Sequence, residues 1–265
     1  MRHSLLAAAL LTALVAGCKA EAPTAPTASP ETATAAASQA DAKFAELSKR
    51  WLEGWLPLNP VAATQIGDHR FDAELDDVSA AGRQRALDFS KTLLAELDAI
   101  DAKTLSRENQ VDALILRNQL RGDIWSIETL QAWAWDPQGY SGLAGSAIYN
   151  LMAREFAPLP ERLKSATARM EKLPAMFAQM RAEIVPARVP KLHAETVAKQ
   201  HAGLLSLIDT FITPNADKLQ GEDRTRLDAA VAGLRKAVAE HQEWLDKTLV
   251  PNAKGDVRIG QKLYD

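Results

Sequence analysis

Cys18 is the only cysteine in this 265-residue chain. A lone thiol excludes an intramolecular disulfide, so the fold must rest on its apolar core. Charge of one sign is missing as well. Lys and Arg number 31 against 34 Asp and Glu, a formal net charge of −3, and no basic block occurs. That balance excludes the electrostatic surface of a nucleic-acid binder, so no nucleic-acid partner is expected. Beyond the first fifteen residues, no apolar run approaches the roughly 20 residues of a membrane-spanning helix. Alternating strand patterns with hairpin turns are absent too, which argues against a β fold.

Catalytic signatures are equally sparse. The chain has no Gly-x-Ser-x-Gly elbow, no glycine-rich phosphate loop and no His-Glu-x-x-His helix. His193 and His201 stand eight apart with no third ligand at helical spacing, and His241 is followed by Gln242 and Glu243. Structural or solvated histidines are therefore the default, and no metal is expected on these residues alone.

What is present begins at the amino terminus. Arg2 and His3 precede an apolar stretch over residues 5–15, the length of a signal-peptide core. Small residues then lead into Cys18 through Leu14-Val15-Ala16-Gly17. A generic secretory signal with a chance cysteine is one reading. The run also resembles a bacterial lipoprotein lipobox, which implies a signal peptide over 1–17, cleavage before Cys18 and lipid on its thiol. Each buried CH₂ of an acyl chain adds about 0.8 kcal/mol of membrane affinity. The expected partner at this end is thus a membrane, met through lipidated Cys18 at the cell envelope and facing the periplasm. Lys19 and Ala20 follow the cysteine. By resemblance, the lack of Asp there favours the outer membrane. Residues 18–40 are rich in Ala, Thr and Pro. They bury too little to offset ordering entropy and read as a disordered tether.

The remainder, residues 41–265, reads as a single all-α domain, an irregular bundle of seven to nine helices. Phe44, Leu47, Trp51, Leu52 and Trp55 form an i, i+3, i+4 stripe, with Asp41 as the expected N-cap. Pro60 starts a short helix that Gly67 closes. Ser79 and Ser106 begin two long helices that should pair as a hairpin, the second turning Val111, Leu114, Ile115, Ile124 and Ile127 inward. Gly122 suggests close helix packing there. Residues 131–150, rich in glycine and aromatics, read as a break in the helical pattern. Helix resumes at Leu159, with Pro174 expected to split it. Two further long helices are expected over 191–211 and 223–249.

Two segments carry more than packing. Gly67-Asp68-His69-Arg70-Phe71-Asp72 gathers charge at a helix end. It reads either as a capped, salt-bridged loop or as a site wall with His69 or Arg70 facing a substrate. Trp135-Asp136-Pro137-Gln138-Gly139-Tyr140 reads either as a buried aromatic turn or as a ligand-lining loop where Tyr140 supplies a hydroxyl.

These segments also carry a family resemblance. Asn59-Pro60, Thr64 through Asp72, Trp135 through Tyr140 and Ala153 through Pro158 resemble motifs of the bacterial domain-of-unknown-function 885 family. So do Arg162-Leu163, Arg169-Met170-Glu171, Pro186 through Thr196 and Arg258 through Asp265, all in the family's order. The resemblance implies helical lipoproteins that look like zinc metallopeptidases of the gluzincin type, about twice this long. Their metal motif, a His-Glu-x-x-x-His-like helix with a downstream Glu, belongs to a C-terminal half. Nothing here matches those ligands, so no catalytic or metal residue carries over. Zinc is expected only in that other half.

Three accounts follow. The chain is the N-terminal, non-metal-binding half of an envelope lipoprotein peptidase, inactive alone, with a peptide as substrate and a C-terminal half as partner. Alternatively it is a non-enzymatic, lipid-anchored binding protein, or a purely structural helical lipoprotein. The tail over 255–265, with Val257, Ile259, Leu263 and Tyr264 uncovered, is expected to be poorly packed.

Overall fold

A computed structural model describes residues 30–264, with side chains from residue 39. The expected signal peptide, Cys18 and the tether up to residue 29 lie outside the described residues. Among the described residues, nine α-helices have five residues or more: α1 Pro30–Leu58, α2 Pro60–Ile66, α3 Ala80–Asp98, α4 Arg107–Trp125, α5 Pro137–Met152, α6 Leu159–Glu183, α7 Lys191–Gln200, α8 Gly203–Leu207 and α9 Gly221–Trp244. The all-α expectation holds. Among the described residues no strand forms, and a single bridge joins Pro190 to Gly255.

The first helix starts eleven residues before Asp41. Ala33, Ala35, Ala36 and Ala37 lie in that extension, and alanine has the highest helix propensity. A segment can thus wind without an apolar stripe to bury. Asp41 is then no cap of α1; its carboxylate accepts the Ser106 amide at 2.9 Å and ties α1 to the start of α4. Ser79 and Ser106 do cap, accepting from the amides of Gly82 and Asn109. Gly67, at φ +95°, ends α2 in the left-handed region that glycine adopts without strain.

Two predicted breaks are not breaks. Pro174 lies inside an unbroken α6. Leu173, Met176 and Phe177 around it are at most 2% exposed, and this packing outweighs the one backbone hydrogen bond that proline forfeits. The glycine-rich segment also becomes helix, as α5. Asp136 caps the Gln138 amide at 3.1 Å and Pro137 supplies a preset first turn. Conversely, the helix expected over 191–211 breaks at His201–Ala202 into α7 and α8 before a π turn at Ile208–Ile212, and the one expected over 223–249 starts at Gly221 and gives way to a π turn at Leu245–Leu249.

On α4 the buried stripe is Ala113, Leu116 and Leu120, while Val111, Leu114 and Ile115 are exposed. Both stripes have helical spacing. The one containing Ala113 wins because it joins the core formed with α1 and α3. Gly122 has open space where a Cβ would stand, so close packing is not its role.

The helices enclose three apolar clusters. Phe44, Leu47, Leu93, Leu97, Leu116 and Leu120 join α1, α3 and α4. The main cluster lies around α6, which packs on α5 and α9 and buries Leu163, Met170, Leu173, Met176 and Phe177. The third unites Tyr140, Met180, Val189, Val197, Leu245 and Leu249. Past Gly255, which hydrogen-bonds the Val189 carbonyl, Val257, Ile259 and Tyr264 are exposed.

Candidate functional site

Between α3, α5 and the end of α4 lies a cavity of about 440 Å³. Its wall begins where α4 gives way to a π turn, Ser126–Leu130. Gln131 follows at φ +53°, the one non-glycine residue in the left-handed region among the described residues. A short 3-10 turn, Ala132–Ala134, then leads to Trp135 and the Asp136 cap. Such irregular backbone persists only when its surroundings fix it. Here two tryptophans do so. The Trp133 indole donates to the Ile127 carbonyl at 3.0 Å, and that of Trp135 donates to the Leu130 carbonyl at 2.9 Å. Carbonyls that the π turn leaves free are thereby satisfied.

Tyr140 stands on α5 and lines this cavity with its ring. Its hydroxyl donates to the Trp133 carbonyl at 2.8 Å. The side chain is 7% exposed, and burial pushes its pKa up to about 12. Tyr140 is therefore a neutral donor that clamps the tryptophan segment.

Arg83 on α3 supplies the cavity's guanidinium. It lies over the Trp133 ring at 3.7 Å and pairs with Glu183 at 2.7 Å. Stacking on one side and a carboxylate on another hold the planar group rigidly. Its Nη1 is buried without a partner. Asp76, Asp77 and Asp136 also line the cavity. Asp77 is well satisfied, accepting from the Ser79 amide, Gln179 and Arg85. Asp76 accepts only the Val61 amide, at 3.1 Å among the described residues, and burial pushes its carboxyl up. Arg83, Trp133 and the π turn carried no signal in the sequence beyond residue type.

His69 and Arg70 lie elsewhere. They border a separate surface depression with Leu52, Leu56 and Ile66, while Tyr140 lines the cavity between α3 and α5. The structure does not bring the three expected residues together. His69 is stacked on Phe156, ring centroids 3.6 Å apart, with Nδ1 3.0 Å from Asp72. The other oxygen of Asp72 accepts the Thr64 hydroxyl at 2.6 Å. Thr64 in turn accepts from Arg169, which is fully buried. Arg169 also donates to the carbonyls of Glu74, Ala147 and Pro60, joining α6 to α2, α5 and the segment between α2 and α3. Loss of hydration lowers its pKa to about 10, and the nearby carboxylates of Asp72 and Asp76 oppose that loss. Arg70 is spent on Asp68 and Glu53. The bland reading of this loop, a capped and salt-bridged turn, accounts for these contacts.

The remaining histidines are dispersed. His193 lies on α7 with Nδ1 3.6 Å from Asp136. His201 and His241 are both buried, ring centroids 4.8 Å apart, against Phe177. Among the described residues no three His, Cys, Asp or Glu side chains gather as a metal would require. The donor set among the described residues does not fit a catalytic zinc. No described helix is long and apolar enough to cross a membrane.

The comparisons agree with this fold. A solved structure from Shewanella oneidensis, described as "a putative lipoprotein of unknown function", superposes with a TM-score of 0.76 at 29% identity. The match covers 83% of this chain and 41% of that one, so this chain spans less than half the length of its relative. No curated protein matches. The family model described as bacterial protein of unknown function (DUF885) matches residues 60–265. Since that match takes in the cavity wall, the Arg169 hub and most of the helices, the chain belongs to the DUF885 family.

Proposed function

We propose that this chain is the substrate-facing helical half of a lipid-anchored zinc metallopeptidase of the cell envelope, inactive by itself. The observation that carries the reading is the extent of the likeness: one fold shared with the Shewanella oneidensis protein described as "a putative lipoprotein of unknown function", in which it accounts for only 41% of the chain. A second half supplies the metal, which when bound polarises a peptide carbonyl and activates water. This chain's own part is to bind and orient, using a preformed cavity with apolar walls and few polar groups. Lipid on Cys18 holds the protein on the periplasmic side, at the outer membrane.

The test compares this 265-residue chain with a longer one carrying the C-terminal half of a family member. Zinc content and hydrolysis of a fluorogenic peptide library are measured on both. The longer chain should hold one zinc and cleave; this chain should do neither. A longer chain with stoichiometric zinc and no cleavage sinks the peptidase assignment, as does peptide turnover by this chain alone. Labelled palmitate should enter the wild type and not Cys18→Ser.

A second reading is a non-enzymatic binding protein of the envelope, favoured by the open cavity beside Trp133 that residues of α1, α3, α5 and the turn after α4 line. A stable envelope partner whose capture is lost in Trp133→Ala, with no hydrolysis by the longer chain, would select it.

A further inference from the structure

One face of the unit formed by α1, α2 and α4 carries aliphatic side chains that no described residue covers. Leu114 and Ile115 on α4 are 60% and 64% exposed, and Ile66 at the end of α2 is 62% exposed. Val111 and Leu52 are exposed as well. Single exposed leucines are ordinary on a protein surface, whereas contiguous ones mark a contact. These five are contiguous. Val111, Leu114 and Ile115 stand at i, i+3 and i+4 on one face of α4. Ile115 and Leu52 line one groove between α4 and α1, and Leu52 and Ile66 line the depression beside the His69 loop. The exposed charges along α4 balance, Arg107 and Arg121 against Glu108 and Asp112. Such a face is drawn to an apolar layer rather than to a charged one.

The chain that leads to this face brings a membrane to it. Pro30 opens α1 twelve positions after Cys18. A stretch of that length reaches at most ~40 Å fully extended. At the helical rise, Leu52 lies about 33 Å along α1 from Pro30. A lipid on Cys18 therefore keeps the bilayer within reach of the stripe when α1 lies along it, and the second contact becomes intramolecular. A second copy or a soluble protein has no such advantage of proximity. Composition agrees: the residues that dominate protein–protein contacts are Trp, Tyr and Arg, and this stripe is aliphatic throughout. We propose that the aliphatic stripe of α1, α2 and α4 rests in the interfacial layer of the membrane to which Cys18 is anchored, so that the protein lies against the bilayer instead of swinging from its lipid. The inference rests on the lipid-anchored reading above and names the surface that meets the membrane. Burial of apolar area at the boundary of head groups and acyl chains supplies the attraction. With the flanking charges balanced, the contact does not depend on low salt.

The test uses the full lipidated chain in vesicles of phosphatidylethanolamine and phosphatidylglycerol. Lipid on Cys18 leaves no other thiol, so a cysteine placed at one position takes a nitrobenzoxadiazole label there alone. Ile115→Cys and Leu52→Cys report the stripe; Leu192→Cys, at an equally exposed leucine on α7, is the control. Nitroxide on the lipid acyl chains should quench the labels at positions 115 and 52 at least fivefold more than the label at 192, and added salt should not change this. Leu114→Asp, at an exposed position, should leave the thermal melt unchanged and cut quenching at 115 at least threefold. Quenching at 115 no stronger than at 192, quenching abolished by salt, an unchanged signal in Leu114→Asp, or a label shielded by self-association without nitroxide contact would overturn the proposal. The two readings fail differently. A chain that takes up no labelled palmitate sinks the anchor and this inference with it, whereas a lipidated chain whose stripe labels stay unquenched sinks this inference alone.

Discussion

Acid should loosen this protein through a buried histidine before most of its carboxylates titrate. His241 is 1% exposed, lying between Phe177 and Trp244. Loss of hydration, with neighbouring His201 and Arg181 adding repulsion, depresses its pKa from 6.5 to about 3. His201 is shifted down as well, chiefly by burial. A folded-state value below the unfolded one means that the contribution is intact above pH 6.5 and lost as the pH falls below it. At pH 5 the unfolded chain takes up a proton that the fold refuses, and His241 alone then costs about 2 kcal/mol relative to pH 7. Carboxylates held low by arginines, such as Glu171 by Arg226, lose their contribution mainly at lower pH. Urea unfolding followed by tryptophan fluorescence at pH 7 and pH 5 reads the difference. His241→Phe keeps a ring between Phe177 and Trp244, releases Arg181 toward solvent and cannot titrate. It should remove about 2 kcal/mol of the pH-dependent loss. An identical loss in wild type and variant would refute the reasoning.

Two further perturbations probe the scaffold. Arg169→Met strands the Glu74, Ala147 and Pro60 carbonyls and leaves Asp72 short of a cation. It should cost about 3–5 kcal/mol in the same unfolding assay, and a loss below about 1 kcal/mol would contradict the hub described above. A Cβ on Gly82 would stand 2.0 Å from the Asp77 carbonyl oxygen, whereas one on Gly145 meets nothing within 4 Å. Gly82→Ala should therefore destabilise by about 1–3 kcal/mol and Gly145→Ala stabilise by about 0.5–1 kcal/mol, opposite signs that a pair of thermal melts can check.

The sequence was most legible where one physical rule acted alone. Serine caps at Ser79 and Ser106, the Pro60 start and the Gly67 stop all read correctly because each is a local backbone preference. Legibility failed where a local preference met tertiary packing. Pro174 signals a break, yet the burial of Leu173, Met176 and Phe177 carries the helix through it. On α4 two stripes of equal periodicity compete, and only the position of α1 and α3 decides between them. The glycines of α5 masked a capped helix start at Asp136 and Pro137. At the site, Tyr140 was visible as a residue but its hydroxyl faces a backbone carbonyl. Arg83 was invisible, because its role depends on contacts with Trp133 and Glu183, 50 and 100 residues away. The charge density of the His69 loop allowed two readings, a salt-bridged turn or a site wall, and the ion pairs of Arg70 with Asp68 and Glu53 are those of the first.

The separate apolar cluster of α1, α3 and α4 has a mechanical consequence. Tension applied at the amino-terminal end enters through α1, whose own cluster excludes the residues around α6. That small three-helix unit bears the load first. The same helices line the cavity through Leu58, Arg83 and Ser126, so a load on α1 is felt at the cavity wall without first crossing the core around α6.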